Sequence, residues 1–317
     1  MKHFLAVCAI LSLFAGAVTA RAGQASCPDV MDRGHLNVLT INILFLDFYN
    51  RMDRLRAVAD FIEAQEQAGE PVDVILLQEV VSGAVACTVS LSINLTAMLR
   101  RQGLDYNLRF RPSAGLPGVF MVSNAMLSRC AVSGFASRLL PYAPERPVAG
   151  IGLPVLHEVQ RIAIDVPGYG AASVYNTHLC SACPGEDRLR QTNGIFRFLD
   201  RHEDNTSRLV VLGGDFNTDI TVATDLPTYT LITDGNGFTD SYAAANACTD
   251  CCSEPEGLAG CTYAVPGNTL VSGAPPVRID YIFALGDFSK LESRVVINEA
   301  PWVSDHSGVL TRIGLNP

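Results

Sequence analysis

The sequence of 317 residues predicts an α/β layered sandwich with covered sheets. Three observations lead there. Strand-like segments recur along the chain, with only a few helical patterns between them. Several of those segments, Leu209-Val210-Val211-Leu212 among them, are apolar on both faces, as strands covered on both sides must be. No repeat, low-complexity block or flexible linker divides residues 30–317, which therefore read as one domain. With 48% hydrophobic residues the chain can bury a sizeable core.

Residues 1–22 stand apart. Lys2 and His3 precede an apolar segment and then small residues suited to cleavage after Ala20 or Ala22, the pattern of a secretory signal peptide. The segment is shorter than the roughly 20 apolar residues of a spanning helix, and no later stretch qualifies. Export is therefore expected, with no transmembrane segment once the leader is removed.

Residues 35–43 alternate apolar and polar side chains, predicting a strand that ends at Asn42. Leu55, Val58, Ala59 and Ile62 recur at helical spacing within 53–67, and Gly69 with Pro71 stops the pattern. Residues 72–77 form a buried strand ending in Gln78-Glu79. A weak helix over 90–102 precedes strands at 106–111, 119–127 and 155–166, the last two joined by an irregular loop rich in proline. A strand at 172–176 ends in Thr177-His178, and a helix over 187–202 follows, with Leu189, Thr192, Phe196 and Leu199 on its inner face. Residues 218–276 have little periodicity and are expected to form a long loop region held by disulfides. Residues 278–283 return to strand character with Asp280 inside the run, and 309–313 form the final strand, preceded by Ser304-Asp305-His306.

Ten cysteines are present, and Cys8 leaves with the leader. In an exported chain the remaining odd set reads as disulfides, with at least one thiol free or paired between chains. Zinc is the competing use of Cys180, Cys183 and the group from Cys248 to Cys261. The net charge of −9 disfavours tight nonspecific binding to nucleic acid, which relies on Lys and Arg, but leaves room for an enzyme that carries its positive charge as bound metal.

The central stretch is Gly213-Gly214-Asp215-Phe216-Asn217, delivered by the apolar strand before it. Alone it is equally an Asx-type turn. Further polar signals at strand ends, Asn42, Glu79, His178 and Asp305 with His306, together with Asp280 inside a strand, favour a site. A buried Asp280 needs a partner, and His306 can supply it.

In this order and context, the stretches LTIN, LLQE, YNTHL, GGDFN, RIDYIF and SDH resemble the endonuclease/exonuclease/phosphatase superfamily, over residues 36–313. The resemblance implies a four-layered sandwich, two β-sheets face to face with helices outside, and a metal-dependent hydrolase of phosphate esters. It implies that Glu79 is the principal Mg²⁺ ligand, with Mn²⁺ or another hard divalent ion as a substitute, and that Asp305 binds a second metal. His306, oriented by Asp280, is implied as the base that activates water. Asp215 and Asn217 match residues that position nucleophile and phosphate, His178 one that stabilises phosphoryl oxygens or assists the leaving group, and Asn42 an active-site asparagine.

The chemistry of these residue types is consistent with those roles. Phosphodiesters repel nucleophiles, and a hard cation on carboxylates neutralises them, while an imidazole beside a carboxylate suits base catalysis near neutrality. A serine nucleophile is disfavoured, because no GxSxG elbow is present. The C-terminal third, with GNTL ahead of RIDYIF and SDHSGVLTRI at the end, resembles the neutral sphingomyelinase branch more than deoxyribonuclease, which implies a phospholipid substrate; contact with a membrane surface and a monomeric enzyme are expected. The apolar loop of Leu44, Phe45, Leu46, Asp47, Phe48 and Tyr49 either meets lipid or packs beneath the site. A secreted nuclease acting on nucleic acid, and a noncatalytic binding protein on the same fold, are the competing functions.

Overall fold

The computed structural model describes residues 27, 29–44, 50–84, 86–143, 156–203, 207–253 and 257–316. The leader, the aromatic part of the apolar loop at 45–49 and the proline-rich stretch 144–155 lie outside them. No helix among the described residues is long and apolar enough to cross a membrane.

Two six-stranded mixed sheets face each other. The first has the order β11-β12-β1-β2-β4-β3, with β1 His35–Asn42, β2 Val74–Ser82, β3 Asn107–Leu116, β4 Phe120–Ser128, β11 Phe288–Val296 and β12 Gly308–Leu315. The second runs β5-β6-β7-β8-β10-β9, with β5 Ala131–Leu139, β6 Glu158–Val166, β7 Gly170–His178, β8 Leu209–Asp215, β9 Thr239–Asp240 and β10 Asp280–Gly286. Helices α1 Val30–Arg33, α2 Arg51–Gln67, α3 Leu91–Arg101, α4 Gly185–Leu199, α5 Leu226–Thr233 and α6 Ser241–Asn246, with a 3₁₀ turn at Leu258–Gly260, complete the regular structure among the described residues.

The period of two in each strand builds the layers. Leu36, Val38, Val74 and Leu76 point between the sheets and meet Val174, Val211 and Ile282 from the opposite side. Their neighbours Leu39, Ile41, Ile75 and Leu77 point outward under Leu55, Val58 and Ile62 of α2 and Leu95 and Leu99 of α3. Tyr175, Leu212 and Phe283 do the same on the second sheet, under Ile195, Phe196 and Leu199 of α4 and Ile232 of α5. This is the four-layered sandwich expected from the sequence. Each such fully buried side chain contributes about 1.5–3 kcal/mol of apolar transfer, so the central strands hold the frame on which the loops depend.

Two edge strands, β5 and β11, were not foreseen. The register of β5 shifts between Val132 and Gly134, and that of β11 between Phe288 and Leu291, so neither keeps a clean alternation. Residues 218–276 are not a featureless loop. They contain α5, α6 and β9, and α6 is capped by Asp240, whose side chain accepts from the N–H groups of Tyr242 and Ala243. Strand β2 continues through Ser82 instead of ending at Glu79, and Asp280 opens β10 instead of sitting inside it.

The cysteines pair as Cys27–Cys130, Cys180–Cys183, Cys248–Cys251 and Cys252–Cys261. Cys87 is disulfide-bonded as well, and no free thiol occurs among the described residues. The possible metal-ligand group found among those residues contains no cysteine, so zinc loses its ligands to disulfides.

Candidate active site

Parallel pairing of β1 with β2 and of β7 with β8 sends their C-terminal ends to one end of the sandwich, where the antiparallel β10 and β12 begin. His178 and Asp280 are both in register with Asp215, on either side of it. Three site residues thus stand in a row across β7, β8 and β10. Asn42 ends β1, opposite Gln78, and His306 enters β12 from the loop beside it.

The close packing of β8, against the facing sheet at Gly213 and against β7 at Gly214, depends on these glycines. A Cβ on Gly213 would come within 2.7 Å of Leu76 Cδ1, and one on Gly214, at φ 140°, within 2.0 Å of the Thr177 carbonyl oxygen. Below the site a buried polar bridge ties the sheets. Gln78 Nε2 donates to Asn176 Oδ1 at 2.7 Å and Thr40 Oγ1 at 3.0 Å, and Asn176 Nδ2 donates to the carbonyls of Leu77 and Ala125 at 3.0 Å each. Such amides are satisfied in only one arrangement, which fixes the relative height of the two sheets.

Asn42, fully buried, is the hub between the carboxylates. Its Nδ2 donates to Glu79 Oε1 at 2.9 Å and to Asp215 Oδ2 at 3.0 Å, while its Oδ1 accepts from the Leu44 N–H at 3.0 Å. Glu79 has φ 59° at the register shift of β2, and that kink aims its side chain out of the ladder. Asp215 Oδ1 accepts from the Asn217 N–H at 2.9 Å, and Asn217, itself at φ 47°, donates through Nδ2 to the Leu179 carbonyl at 2.9 Å. The carboxamide of Asn217 therefore clamps the loop after His178.

His306 Nδ1 lies 2.9 Å from Asp280 Oδ2, and its Nε2 lies 3.8 Å from Asp215 Oδ2. All three are buried. Burial works against a charged His306, but Asp280, Asp215 and Asp305 outweigh it and raise its pKa. Burial and the nearby Asp280 raise that of Asp215. His178 Nε2 is 3.5 Å from the same Asp215 oxygen, yet burial, helped by His157 and His306, lowers its pKa well below the ordinary value. The two histidines are thus driven apart, one toward the cationic form and one toward the neutral. Asp305 stands at the rim, with Ser304 Oγ donating to its Oδ1 at 3.1 Å.

The donor set fits a hard cation. Glu79, Asp215, Asp280 and Asp305 outnumber the two histidines, Asp280 Oδ1 is buried with no hydrogen-bond partner among the described residues, and ligand atoms of Asp215, Asp280 and His306 lie within 4.8 Å of one another. Oxygen-rich donors of this kind suit Mg²⁺ or Mn²⁺ better than softer metals.

Residues not foreseen also gather here. Glu79, Ser113, Val122, Ser123, Asn124, His157, Glu158 and His178 line a small pocket beside the site. His157 Nδ1 lies 2.8 Å from the His178 carbonyl oxygen, and Glu158 Oε1 accepts from Gln160 Nε2 at 2.8 Å and the Asn124 N–H at 3.2 Å. Two adjacent ionisable residues opening an apolar strand are the signal that would have marked them. Tyr263 packs its ring against His306 with centroids 4.9 Å apart. An aromatic residue between the last cysteine and the Asp280 strand is a fainter signal.

A centre of acids and imidazoles at one end of two facing sheets defines a hydrolase-type α/β sandwich. The chain belongs to the endonuclease/exonuclease/phosphatase family, whose profile matches residues 39–306, and the members of that family are mostly hydrolases acting on phosphodiester bonds, generally with divalent metal ions. No curated protein matches in sequence. Among solved structures, an endonuclease/exonuclease/phosphatase family protein from Leptotrichia buccalis is 23% identical with a TM-score of 0.64, over 88% of this chain and 99% of that one. One from Beutenbergia cavernae is 23% identical with a TM-score of 0.63, over 90% and 72%. Truncated TDP2 from Caenorhabditis elegans is 20% identical with a TM-score of 0.61, over 88% and 97%. At these identities the likeness is one of fold.

Proposed function

We propose that this chain is an exported, metal-dependent phosphodiesterase of the phospholipase C type, acting on a phospholipid in the manner of a sphingomyelinase. The observation that carries the hydrolytic part is the Asp280–His306 pair beside Asp215, with Glu79 held to the same centre through Asn42. In its neutral form, which a cation neutralising the surrounding carboxylates would favour, His306 Nε2 takes the proton of the attacking water, and Asp280 on Nδ1 fixes the tautomer and stabilises the imidazolium that develops. Asp215 orients that water. The neutral His178 donates a hydrogen bond to the phosphoryl oxygens, and Asn217 holds its loop in place. Glu79 and Asp305 are the residues that would hold Mg²⁺, with Asp215 within reach. Such an ion supplies charge neutralisation and Lewis-acid polarisation of the phosphoryl group.

Support for a lipid comes from the turn between β3 and β4, where Leu116 is 51% and Val119 46% exposed. Ser113 and Val122 of the same hairpin line the pocket beside Glu79 and His178, so apolar surface leads into the site. The four bridges, with Cys87 disulfide-bonded as well, agree with an oxidising compartment. We read residues 30–317 as one monomeric catalytic domain.

The test is a substrate panel of sphingomyelin, lysophospholipid, DNA, RNA and bis(4-nitrophenyl) phosphate, run with Mg²⁺ and with EDTA. Release of a phosphorylated headgroup from the lipid, abolished by EDTA and restored by Mg²⁺, is expected. Turnover of DNA or RNA alone would replace the lipid reading with a nuclease, and full activity in EDTA would overturn the mechanism.

A further inference from the structure

Residues 261–264 run as a brace between the segments that carry Asp280 and His306. Thr262 Oγ1 accepts from the N–H groups of Ile279 and Asp280 at 3.1 Å each. The Thr262 carbonyl accepts from the Ser307 N–H at 2.6 Å, and the Ala264 N–H donates to the Asp305 carbonyl at 3.1 Å. Tyr263 and Val277 exchange backbone hydrogen bonds of 3.0 and 3.1 Å. At one end Cys261 is bonded to Cys252, and at the other Ala264 turns the chain at φ 52°. The brace thus uses the hydroxyl of Thr262 within itself, and the neighbouring Tyr263 is the residue whose side chain reaches His306.

Its ring crosses that of His306 at 55°, with centroids 4.9 Å apart, and it is partly exposed. The hydroxyl makes no hydrogen bond among the described residues. The ring stands against the imidazole whose Nδ1 is on Asp280 and whose Nε2 faces Asp215. An O–H donor held there has its natural acceptor in an anionic ligand of the same centre, since a phosphoryl oxygen brings the negative charge that a cation on those carboxylates would gather.

We propose that Tyr263 is a catalytic residue whose phenolic O–H donates to a non-bridging phosphoryl oxygen, while its ring keeps the His306 imidazole aligned on Asp280. This rests on the phosphodiesterase reading. It adds a donor from the disulfide-anchored region to those supplied by the sheets.

The two functions of the side chain separate in two variants. Tyr263→Phe keeps the ring and removes the donor, whereas Tyr263→Ala removes both. With bis(4-nitrophenyl) phosphate, Tyr263→Phe should lower kcat about 100-fold, the usual effect of one lost transition-state donor, with KM and melting temperature little changed. Orthovanadate binding, measured by calorimetry, should weaken about tenfold in parallel, the loss of one hydrogen bond to a charged group. Tyr263→Ala should lose more activity than Tyr263→Phe. A kcat within threefold of wild type together with unchanged vanadate affinity in Tyr263→Phe would overturn the proposal. If the wild-type protein hydrolyses no phosphodiester, the functional reading fails separately, and vanadate affinity alone decides the role of Tyr263, with equal binding by wild type and Tyr263→Phe overturning it.

Discussion

Glu158 gives a stability prediction whose size follows from its surroundings. It lies at the start of β6 and is 3% exposed. Burial pushes its carboxyl up to about 7 from an ordinary 4.5, against the pull of the Asn124 N–H, Gln160, Arg111 and Ser113. A carboxyl whose pKa is higher folded than unfolded binds more protons in the folded state, so stability falls as pH rises between the two values. The full penalty is about 3 kcal/mol, absent below the unfolded pKa, growing through the interval and complete above about pH 8. Glu158→Gln preserves the acceptor for Gln160 and Asn124 and cannot ionise. Wild type and variant should therefore have similar melting temperatures near pH 4.5. At pH 8 the variant should melt higher by roughly 6–9 °C, given about 2–3 °C per kcal/mol for a chain of this size. Thermal denaturation followed by circular dichroism from pH 4.5 to 8.5 reads the difference. Parallel curves for the two proteins would refute the buried, proton-sensitive Glu158.

Asn42→Ala removes the donor shared by Glu79 and Asp215, so the Mg²⁺ concentration for half-maximal activity should rise about 10- to 100-fold, and an unchanged requirement would show that Asn42 does not organise the carboxylates. Gly214→Ala should cost more than about 4 kcal/mol or prevent folding, because its Cβ would meet the Thr177 carbonyl at 2.0 Å, whereas Gly134→Ala, whose Cβ would lie 3.7 Å from Ala163 Cβ, should be close to neutral in the same melting assay.

The central strands were legible because burial on both faces leaves a plain sequence mark. Residues 209–212 are apolar throughout, and so is most of 72–77. The polar residues that end or follow such runs stand out against them, which is why Asn42, His178, Asp215 and His306 could be singled out and are brought together at one end of the sandwich. Edge strands lack that mark. Most of β5 is only partly buried, and its shift at Gly134 breaks the period of two. The helices of 218–276 are six to eight residues long, too short to repeat an apolar face. Glu79 was found for its chemistry but misplaced, since nothing in Gln78-Glu79-Val80 announces a positive φ within a continuing strand. Tyr263 and Glu158 depend on contacts between segments distant in sequence, and local pattern carries little of that information.

The most direct test of the central claim is the steady-state kinetics of His306→Ala beside His178→Ala on the wild-type enzyme's best substrate. If His306, backed by Asp280, is the base, its loss should lower kcat by about 10²–10⁴ with KM nearly unchanged. His178→Ala should be the milder variant, and Asp280→Asn should fall between wild type and His306→Ala. Near-normal turnover in His306→Ala with activity lost in His178→Ala would contradict the account and move the base to the other histidine.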